Sequence, residues 1–300
     1  HYRNLHELVI VHVHDSHDKD TVLDIVSLLN SSVHVQHVVV VCEPHNVITI
    51  VESQESDRRD IYHSHVVEIL AKKGSCVRYV SYNRPSEFSV VQIMRKSARV
   101  EEDAKVIWLN AYLGGAHVRS RVHTVLSGQR ASAQVYGISQ LHSKQLHDIK
   151  TDVVHASAET TSKIHTRSLV SGASKIISRG CIDIQRGMID CDAIEQEHHL
   201  IIDDMSEVDS VPMLQIYNPD VASCTHASSI STIDEEKLFY LMSRGMSRQS
   251  AQSAIVNGFF APVIEKFPPK VRDEISCRIA NVVNMDEMSR EKAEKTEEIT

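Results

Sequence analysis

Cys224 and His226 are the residues whose types and spacing point most directly to chemistry in this 300-residue chain. They lie in a run of small, hydroxyl-bearing residues that is typical of a strand, and side chains two positions apart on a strand point to the same face. A thiolate and an imidazole on one face could together bind a transition-metal ion such as iron. Two ligands are too few for a closed site. A buried cysteine beside a hydrogen-bonded histidine explains the same pattern without a metal.

The composition argues against several functional classes. Six widely spread cysteines without a C-x-x-C pair indicate neither a disulfide framework nor a zinc ribbon, and fit a reducing cytoplasm. A net charge of −8 disfavours a nucleic-acid partner. No apolar run approaches the roughly 20 residues of a membrane span, and the first residues do not resemble a secretory signal. The chain has no G-x-x-x-x-G-K-[ST] motif, so we expect any nucleotide to be bound by another protein.

Short strands are predicted over most of the chain. Runs of about 5–8 residues rich in Val, Ile, Thr and Ser alternate with Gly, Ser, Asn or Asp, and Lys72, Lys73 and Gly74 mark one turn. Within this strand-rich region, a short helix is expected near Thr21–Leu29. Strands and helices do not alternate, which disfavours a Rossmann-like sheet. A sandwich, a barrel and a solenoid all fit the strand pattern.

A helical hairpin is predicted over Asp234–Ile264. Asp234 supplies acid to the first turn of its first helix, Ser231 is expected to contribute to the cap, and Gly245 is expected to end the helix. Ser247 is the expected cap of the second helix. The second helix is apolar on two sides, so it must be buried against its own domain or a partner.

The amino-acid sequence of this hairpin resembles that of a known family. LFYLMSRGMS, followed by AQSAIVNGFFAPVIEKFP, is similar to the C-terminal helical segment of the SufB/SufD proteins, the scaffold proteins of the SUF iron–sulfur cluster assembly system. Sequence motifs that precede the helices in this family also match, so the resemblance covers about Leu169–Pro268. Matching positions upstream of the helices are Glu207, Asp209, Pro212, Leu214, Ile216, Tyr217, Val221, Cys224 and His226.

The resemblance implies a fold and a domain organisation. It implies a mainly β protein with a right-handed parallel β-helix over residues 1–230. A small C-terminal α-helical domain that docks an ATPase would follow over residues 231–285. The charged residues 286–300 are expected to form a disordered tail.

The resemblance also implies a site for a transient iron–sulfur cluster. His226 occupies the position of the functional histidine of SufD, and Cys224 is the second candidate ligand. SufB proteins carry a cysteine where this chain has Glu197, and a glutamate where it has Ala227. The site therefore resembles that of SufD, or of a single-gene SufBD homologue with altered ligands. Glu197 and Cys191 are weaker candidates, and His198 and His199 are weaker still.

Two partners follow from the resemblance. One is a second SufB/SufD-type protomer that pairs through the last strands of the β-helix, as a homodimer or a heterodimer. The other is the ATPase SufC, which docks on the helical segment. The expected docking residues are Leu238, Phe239, Tyr240, Arg244, Gly245, Phe259 and Phe260.

Two other functions are alternatives to this non-enzymatic scaffold. A polysaccharide lyase or hydrolase on a β-helix would need convergent carboxylates, for which Asp183, Asp190 and Asp192 are the candidates. An aromatic content of 5% fits a sugar cleft poorly. A purely structural interaction protein without cluster chemistry is the third hypothesis.

Overall fold

The protein is a parallel β-solenoid of about seven turns followed by three C-terminal helices. The structure is a computed structural model and describes residues 5–16, 21–29, 31–55, 60–84, 90–217 and 219–279. The predicted mainly β class with a helical C-terminal segment is confirmed. None of the helices among these residues is long and apolar enough to cross a membrane.

Each turn of the solenoid contributes strands to two parallel sheets. Sheet A contains β1 (Glu7–Val13), β3 (Val33–Cys42), β5 (Ile61–Ala71), β7 (Val90–Val100), β9 (His117–Leu126), β11 (Leu146–His155), β13 (Lys175–Ile184), β15 (Glu207–Ser210) and β16 (Met213–Ile216). Sheet B contains β2 (Val22–Leu28), β4 (Val47–Glu55), β6 (Cys76–Arg84), β8 (Lys105–Leu113), β10 (Ser132–Leu141), β12 (Thr161–Val170), β14 (Asp192–Ile201) and β17 (Ser223–Thr232).

One predicted element is wrong. The region near Thr21–Leu29 forms strand β2 rather than a helix, with Val22 paired to Thr49 and Leu28 to Glu55 of β4. Its β-branched residues suit a strand, and pairing with a neighbouring turn outweighs a weak local helical pattern. The predicted turn at Lys72–Gly74 lies where expected, between β5 and β6.

A ladder of similar turns sets the repeat of the solenoid. His45, Gly74 and Asp103 are 29 residues apart and all have positive φ angles, of 62°, 66° and 55°. The backbone N–H of His45 donates to the carbonyl of Lys73 in the next turn, at 3.0 Å, and the N–H of Gly74 donates to Glu102 at 2.8 Å. Stacked turns therefore satisfy each other's backbone groups and hold successive strands in register.

The interior between the sheets has an apolar part and a polar part. Val40, Ile50 and Trp108 belong to a long apolar cluster of buried residues. Lys96 lies on the polar side, fully buried, and its Nζ donates to Asn110 Oδ1 at 2.7 Å and to Ser81 Oγ. A polar interior is stable only when its groups find such partners.

The helices begin and end where local signals place them. Helix α1 spans Glu235–Ser243, α2 spans Arg248–Ile264, and the described part of α3 is 269–279. Asp234 caps α1 by accepting from the backbone N–H groups of Glu236 and Lys237, and Ser247 caps α2. The expected stop at Gly245 has a φ angle of +93°.

The expected contribution of Ser231 to the cap of α1 is wrong. It lies in β17, and its hydroxyl donates to the carbonyl oxygen of His199 at 3.4 Å. The chain leaves the sheet only after Thr232, so Asp234 is the first residue free to turn toward a helix. The tail 286–300 lies outside the described residues.

Helices α2 and α3 pack on the outer face of sheet B. Their apolar side chains form one buried cluster with outward-facing residues of β6, β8, β10, β12 and β14. Phe260 is completely buried there, and Arg167 of β12 donates to the carbonyl of Phe259. The helical contribution to this cluster is Val256, Phe260, Val263, Ile264, Phe267, Val271, Ile275 and Ile279.

Candidate functional site

The last turn of the solenoid positions Cys224 and His226. Strand β17 pairs with β14 so that Cys224 lies beside Ala193 and His226 lies beside Glu195. Among the described residues no strand pairs with the other edge of β17. Its side chains on this face are therefore less covered than those of earlier turns. His226 is exposed and Cys224 is half-buried.

Cys224 and His226 differ in how readily each could bind a metal. Burial raises the pKa of the Cys224 thiol, and the charges that Glu195 and Asp192 carry in the alkaline range where a thiol loses its proton raise it further. Cys224 is therefore a protonated thiol at neutral pH, and a metal must displace its proton. His226 makes no side-chain hydrogen bond to another described residue. Of the two, the imidazole is the more accessible ligand.

Glu197 lies inside the solenoid, on the same side of β14 as Glu195. Its carboxylate oxygens accept from Ser178 Oγ at 2.9 Å and from Ser210 Oγ at 2.8 Å. Burial alone would raise the pKa of Glu197, but the imidazole of His199, whose Nε2 lies 3.7 Å away, and hydrogen bonds from Ser210 and Ser178 hold that pKa below its usual value. Glu197 is therefore a buried, hydrogen-bonded carboxylate.

A short polar path joins Glu197 to the last strand. Ser210 Oγ, which donates to Glu197, lies 2.7 Å from Ser228 Oγ of β17. Ser228 follows His226 on the same face of that strand. Two hydroxyl groups therefore connect the buried carboxylate to strand β17, and His226 is not itself part of this path.

Glu195 is the residue that the sequence reasoning missed. It is fully buried, and neither of its carboxylate oxygens has a hydrogen-bond partner among the described residues. Its carboxyl group occupies the space over Gly180, where an added Cβ would lie only 1.3 Å from Oε1. Burial and the charge of Glu197 raise the pKa of Glu195 to about 8, so this carboxyl is protonated at neutral pH.

A sequence signal for this pair of carboxyls was present. In the run Glu195–His199, Glu195, Glu197 and His199 alternate with Gln196 and His198. A period of two on a strand places the first three on one face. Whether that face is the inner or the outer one depends on which turns stack, and the local sequence does not contain this information.

The remaining candidate ligands are dispersed. His198 and His199 lie on opposite faces of β14: His198 bonds the outward Ser229 at 2.7 Å, and His199 bonds the buried Ser168 at 2.6 Å. Cys191 is completely buried, with its Sγ 3.3 Å from Thr160 Oγ1. Within the described part of the chain, no three His, Cys, Asp or Glu side chains are arranged to hold a metal ion.

The expected docking residues divide into buried and exposed groups. Leu238 and Phe260 are 1% and 0% exposed, so both serve internal packing. Phe259 packs against Phe260 and under the guanidinium of Arg167, which lies 5.0 Å from its ring centre. Phe239 and Tyr240 on α1 are 72% and 57% exposed. The guanidinium of Arg244 lies 5.2 Å from the Tyr240 ring, and Gly245 follows at the exposed end of the helix.

The carboxylates considered for a sugar-cleaving enzyme do not share one surface. Asp183 lies on the outer side of β13 in sheet A, and Asp192 begins β14 in sheet B. Asp190 lies in the connection between them, at a φ angle of 54°. A pair of catalytic carboxyls must flank one bond, and this arrangement does not provide that geometry.

Comparison with known proteins identifies a family. The family model described as SUF system FeS cluster assembly, SufBD core domain, matches residues 26–259. The match therefore includes most of the solenoid, the turn that bears His226, and most of the helical hairpin.

Several bacterial proteins described as iron–sulfur cluster assembly SufBD family proteins are similar to this chain. One from Staphylococcus epidermidis is 30% identical over 220 residues, which cover 71% of this chain and 46% of that protein. One from Mycobacterium leprae is 28% identical over 225 residues, which cover 73% of this chain and 25% of that protein. The chain thus spans between a quarter and about half the length of these relatives.

Proposed function

Since the chain belongs to the SufBD family, we propose that it is a non-enzymatic scaffold subunit of iron–sulfur cluster assembly. The observation that carries this proposal is the position of His226, exposed on the last strand with Cys224 on the same face. We further propose a cytoplasmic location, where thiols remain reduced. The cluster is cargo that the protein holds during assembly.

The donor set of one chain suggests a shared cluster site. An iron–sulfur cluster needs several soft or imidazole ligands, and this turn supplies one exposed imidazole and one half-buried thiol. We propose that a second SufB/SufD-type protomer supplies the others. The same end of the solenoid exposes apolar side chains suited to such an interface, and Met213, Ile216, Tyr217 and Ile230 are 40%, 40%, 58% and 51% exposed.

Glu197 and Ala227 favour a SufD-like role over a SufB-like one. Glu197 stands where SufB proteins carry a cysteine, and it accepts hydrogen bonds from two serine hydroxyls beside the imidazole of His199. A buried carboxylate with these partners is poorly suited to accept sulfur. We therefore propose that cluster building depends on the partner protomer, and that this chain contributes His226.

Helix α1 is the proposed docking surface for the ATPase SufC. Its exposed Phe239 and Tyr240, with Arg244 stacked beside Tyr240, form a compact aromatic and cationic surface. Such residues dominate the energy of many protein interfaces. Because β17 ends at Thr232 and α1 begins at Glu235, movement of α1 would act directly on the strand that bears His226.

Anaerobic reconstitution with iron and sulfide tests the cluster site. We expect His226→Ala to bind less iron and sulfide than the wild type when paired with its partner protomer, and Cys224→Ala to have a smaller effect. The exposed His117 of sheet A offers a matched control, His117→Ala, which should load normally. Equal loading of all three variants and the wild type would refute the assignment.

A pull-down with SufC tests the docking surface. Phe239→Ala should reduce SufC capture by about tenfold or more, as expected for an exposed aromatic anchor. Tyr62→Ala, which removes a 40% exposed aromatic side chain from sheet A, is the control. If Phe239→Ala captures SufC as well as Tyr62→Ala does, α1 is not the docking surface. Loss of SufC binding with intact cluster loading, or the reverse, would separate the two proposals.

A further inference from the structure

A row of basic side chains crosses the outer face of sheet A. Arg95 of β7 pairs in register with Arg121 of β9. Lys150 of β11 pairs with Arg121 on one side and with Arg179 of β13 on the other. Neighbouring strands lie about 4.8 Å apart, so the row extends over roughly 14 Å.

This arrangement is electrostatically unfavourable for the isolated chain. Side chains directly opposite each other on neighbouring strands interact, and like charges there destabilise a sheet. Two aspartates offset part of the charge. Asp148 binds Arg179, and Asp152 lies 3.0 Å from the Nζ of Lys150. Arg119, next to Asp148 in register, lies 3.6 Å from it.

The remaining positive charge lies on three exposed arginines. Arg95, Arg99 and Arg121 are exposed, and within the described ranges no carboxylate forms an ion pair with any of them. The chain as a whole carries a net charge of −8, so this local excess of positive charge is a particular feature of one face. A cluster of unpaired guanidinium groups is suited to binding carboxylates in pairs of hydrogen bonds.

An apolar groove adjoins the row. Its volume is about 290 Å³, and it begins two residues along each strand, where Ser97 follows Arg95 and His123 follows Arg121. Arg99 lies at its edge. Its apolar lining includes Val39, Val41, Leu70 and Val125. Glu68 also lines it, with its carboxylate 2.9 Å from His37 Nε2.

We propose that this face of sheet A binds an extended acidic segment of a partner protein. Carboxylates of that segment lie along Arg95, Arg121 and Arg99, and an apolar side chain next to them fills the groove. Asp148 and Asp152 within the basic patch would repel a continuous phosphate backbone. A peptide can place its carboxylates selectively and also supply the apolar group that the groove accommodates.

Binding of a labelled peptide of alternating glutamate and serine ending in leucine tests this assignment with the full 300-residue chain. Fluorescence anisotropy should show that the double variant Arg95→Ser/Arg121→Ser binds about tenfold or more weakly than the wild type. A peptide ending in serine instead of leucine should also bind more weakly, because the groove stays empty. Lowering the salt concentration should enlarge the effect of the arginine double variant, and should have less influence on the effect of the leucine-to-serine change in the peptide.

The double variant Lys266→Ser/Lys270→Ser is the matched control. It removes the same charge from two exposed positions by the helices and should bind the peptide within about twofold of the wild type. Equal weakening in both double variants would mean that net charge alone drives binding, which overturns the proposal. Tighter binding of a single-stranded oligonucleotide, or of vesicles with phosphatidylserine, through Arg95 and Arg121 would overturn it in favour of that ligand.

Discussion

Sheets A and B have similar strands and the same repeat, yet their outer faces differ in kind. The outer face of sheet B bears residues such as Leu109, Ile138 and Leu169, and helices α2 and α3 cover them. The outer face of sheet A bears Arg95 and Arg121, and no described helix lies over it. The stacked turns and inward side chains build the solenoid in both sheets. Outward positions are therefore free to decide whether a face is packed internally or offered to other molecules.

The largest effect is expected where sheet B meets its helices. Phe260→Ala removes a completely buried ring, so the free energy of unfolding should fall by about 3–5 kcal/mol in urea denaturation. Phe239→Ala removes a ring that is 72% exposed and should change it by about 0.5 kcal/mol or less. Similar losses for both variants would mean that α2 is not anchored as the structure indicates.

The free energy of unfolding should depend on pH because of Lys96, which lies on the inner side of sheet A. Burial lowers the pKa of Lys96 to about 8 from an ordinary value of 10.5. The unfolded chain therefore holds this proton more tightly than the folded one, and stability rises as the pH increases from about 8 to 10.5. Relative to Lys96→Met, the wild type should gain about 2 kcal/mol in free energy of unfolding between about pH 7 and pH 10.

The comparison with Lys96→Met isolates this lysine. Tyr79 and Tyr112, whose pKa values burial raises, are present in both proteins, so their opposing contribution above about pH 10 cancels. The exposed Lys144→Met variant should follow the wild type at every pH. Parallel pH profiles for the wild type and Lys96→Met would show that Lys96 is not buried as a charged group.

Arg167 should account for a smaller part of the contact between sheet B and α2. Arg167→Ala removes a hydrogen bond to the Phe259 carbonyl and a cation–π contact, which should cost about 1–2 kcal/mol. Amide hydrogen exchange near Phe259 should accelerate more than exchange in β11. Arg167→Lys keeps the charge and loses the planar contact, so it should fall between the wild type and the alanine variant.

The smallest effect is expected on the bare face of sheet A. Arg121→Ala should change the free energy of unfolding by about 0.5 kcal/mol or less, because the side chain is exposed and its neighbours Arg95 and Lys150 repel it. The same variant should weaken binding of the acidic peptide. A large loss of stability would indicate that the arginine row supports the fold rather than a partner.

Local structure was predictable where one residue decides it. Ser247 begins α2 and Gly245 ends α1, since a cap and a positive φ angle need particular residue types. The solenoid itself followed only from the family resemblance. Its repeating turns carry His45, Gly74 and Asp103 at equivalent positions, so the 29-residue period is a repeat of conformation rather than of residue type.

The candidate site was predictable as a spacing and not as an environment. Cys224 and His226 share a face because a strand has a period of two. The buried state of Glu195 depends on Gly180 in the preceding strand of sheet A, and that of Cys191 on Thr160 in the preceding turn. Burial of Leu238 and Phe260 likewise depends on which helix face meets the rest of the protein.

The helices on sheet B also decide where the solenoid opens first. In a stack of turns each turn contacts only its neighbours, so stability is shared locally. The α2–α3 pair packs across five strands, from β6 to β14, so we expect these turns to open together. Of the described residues in the turns that contain β1 to β4, only Val51 of β4 packs against this cluster, and it is partly buried. On heating, the turns that contain β1 to β4 should therefore unfold before the turns that α2 and α3 cover.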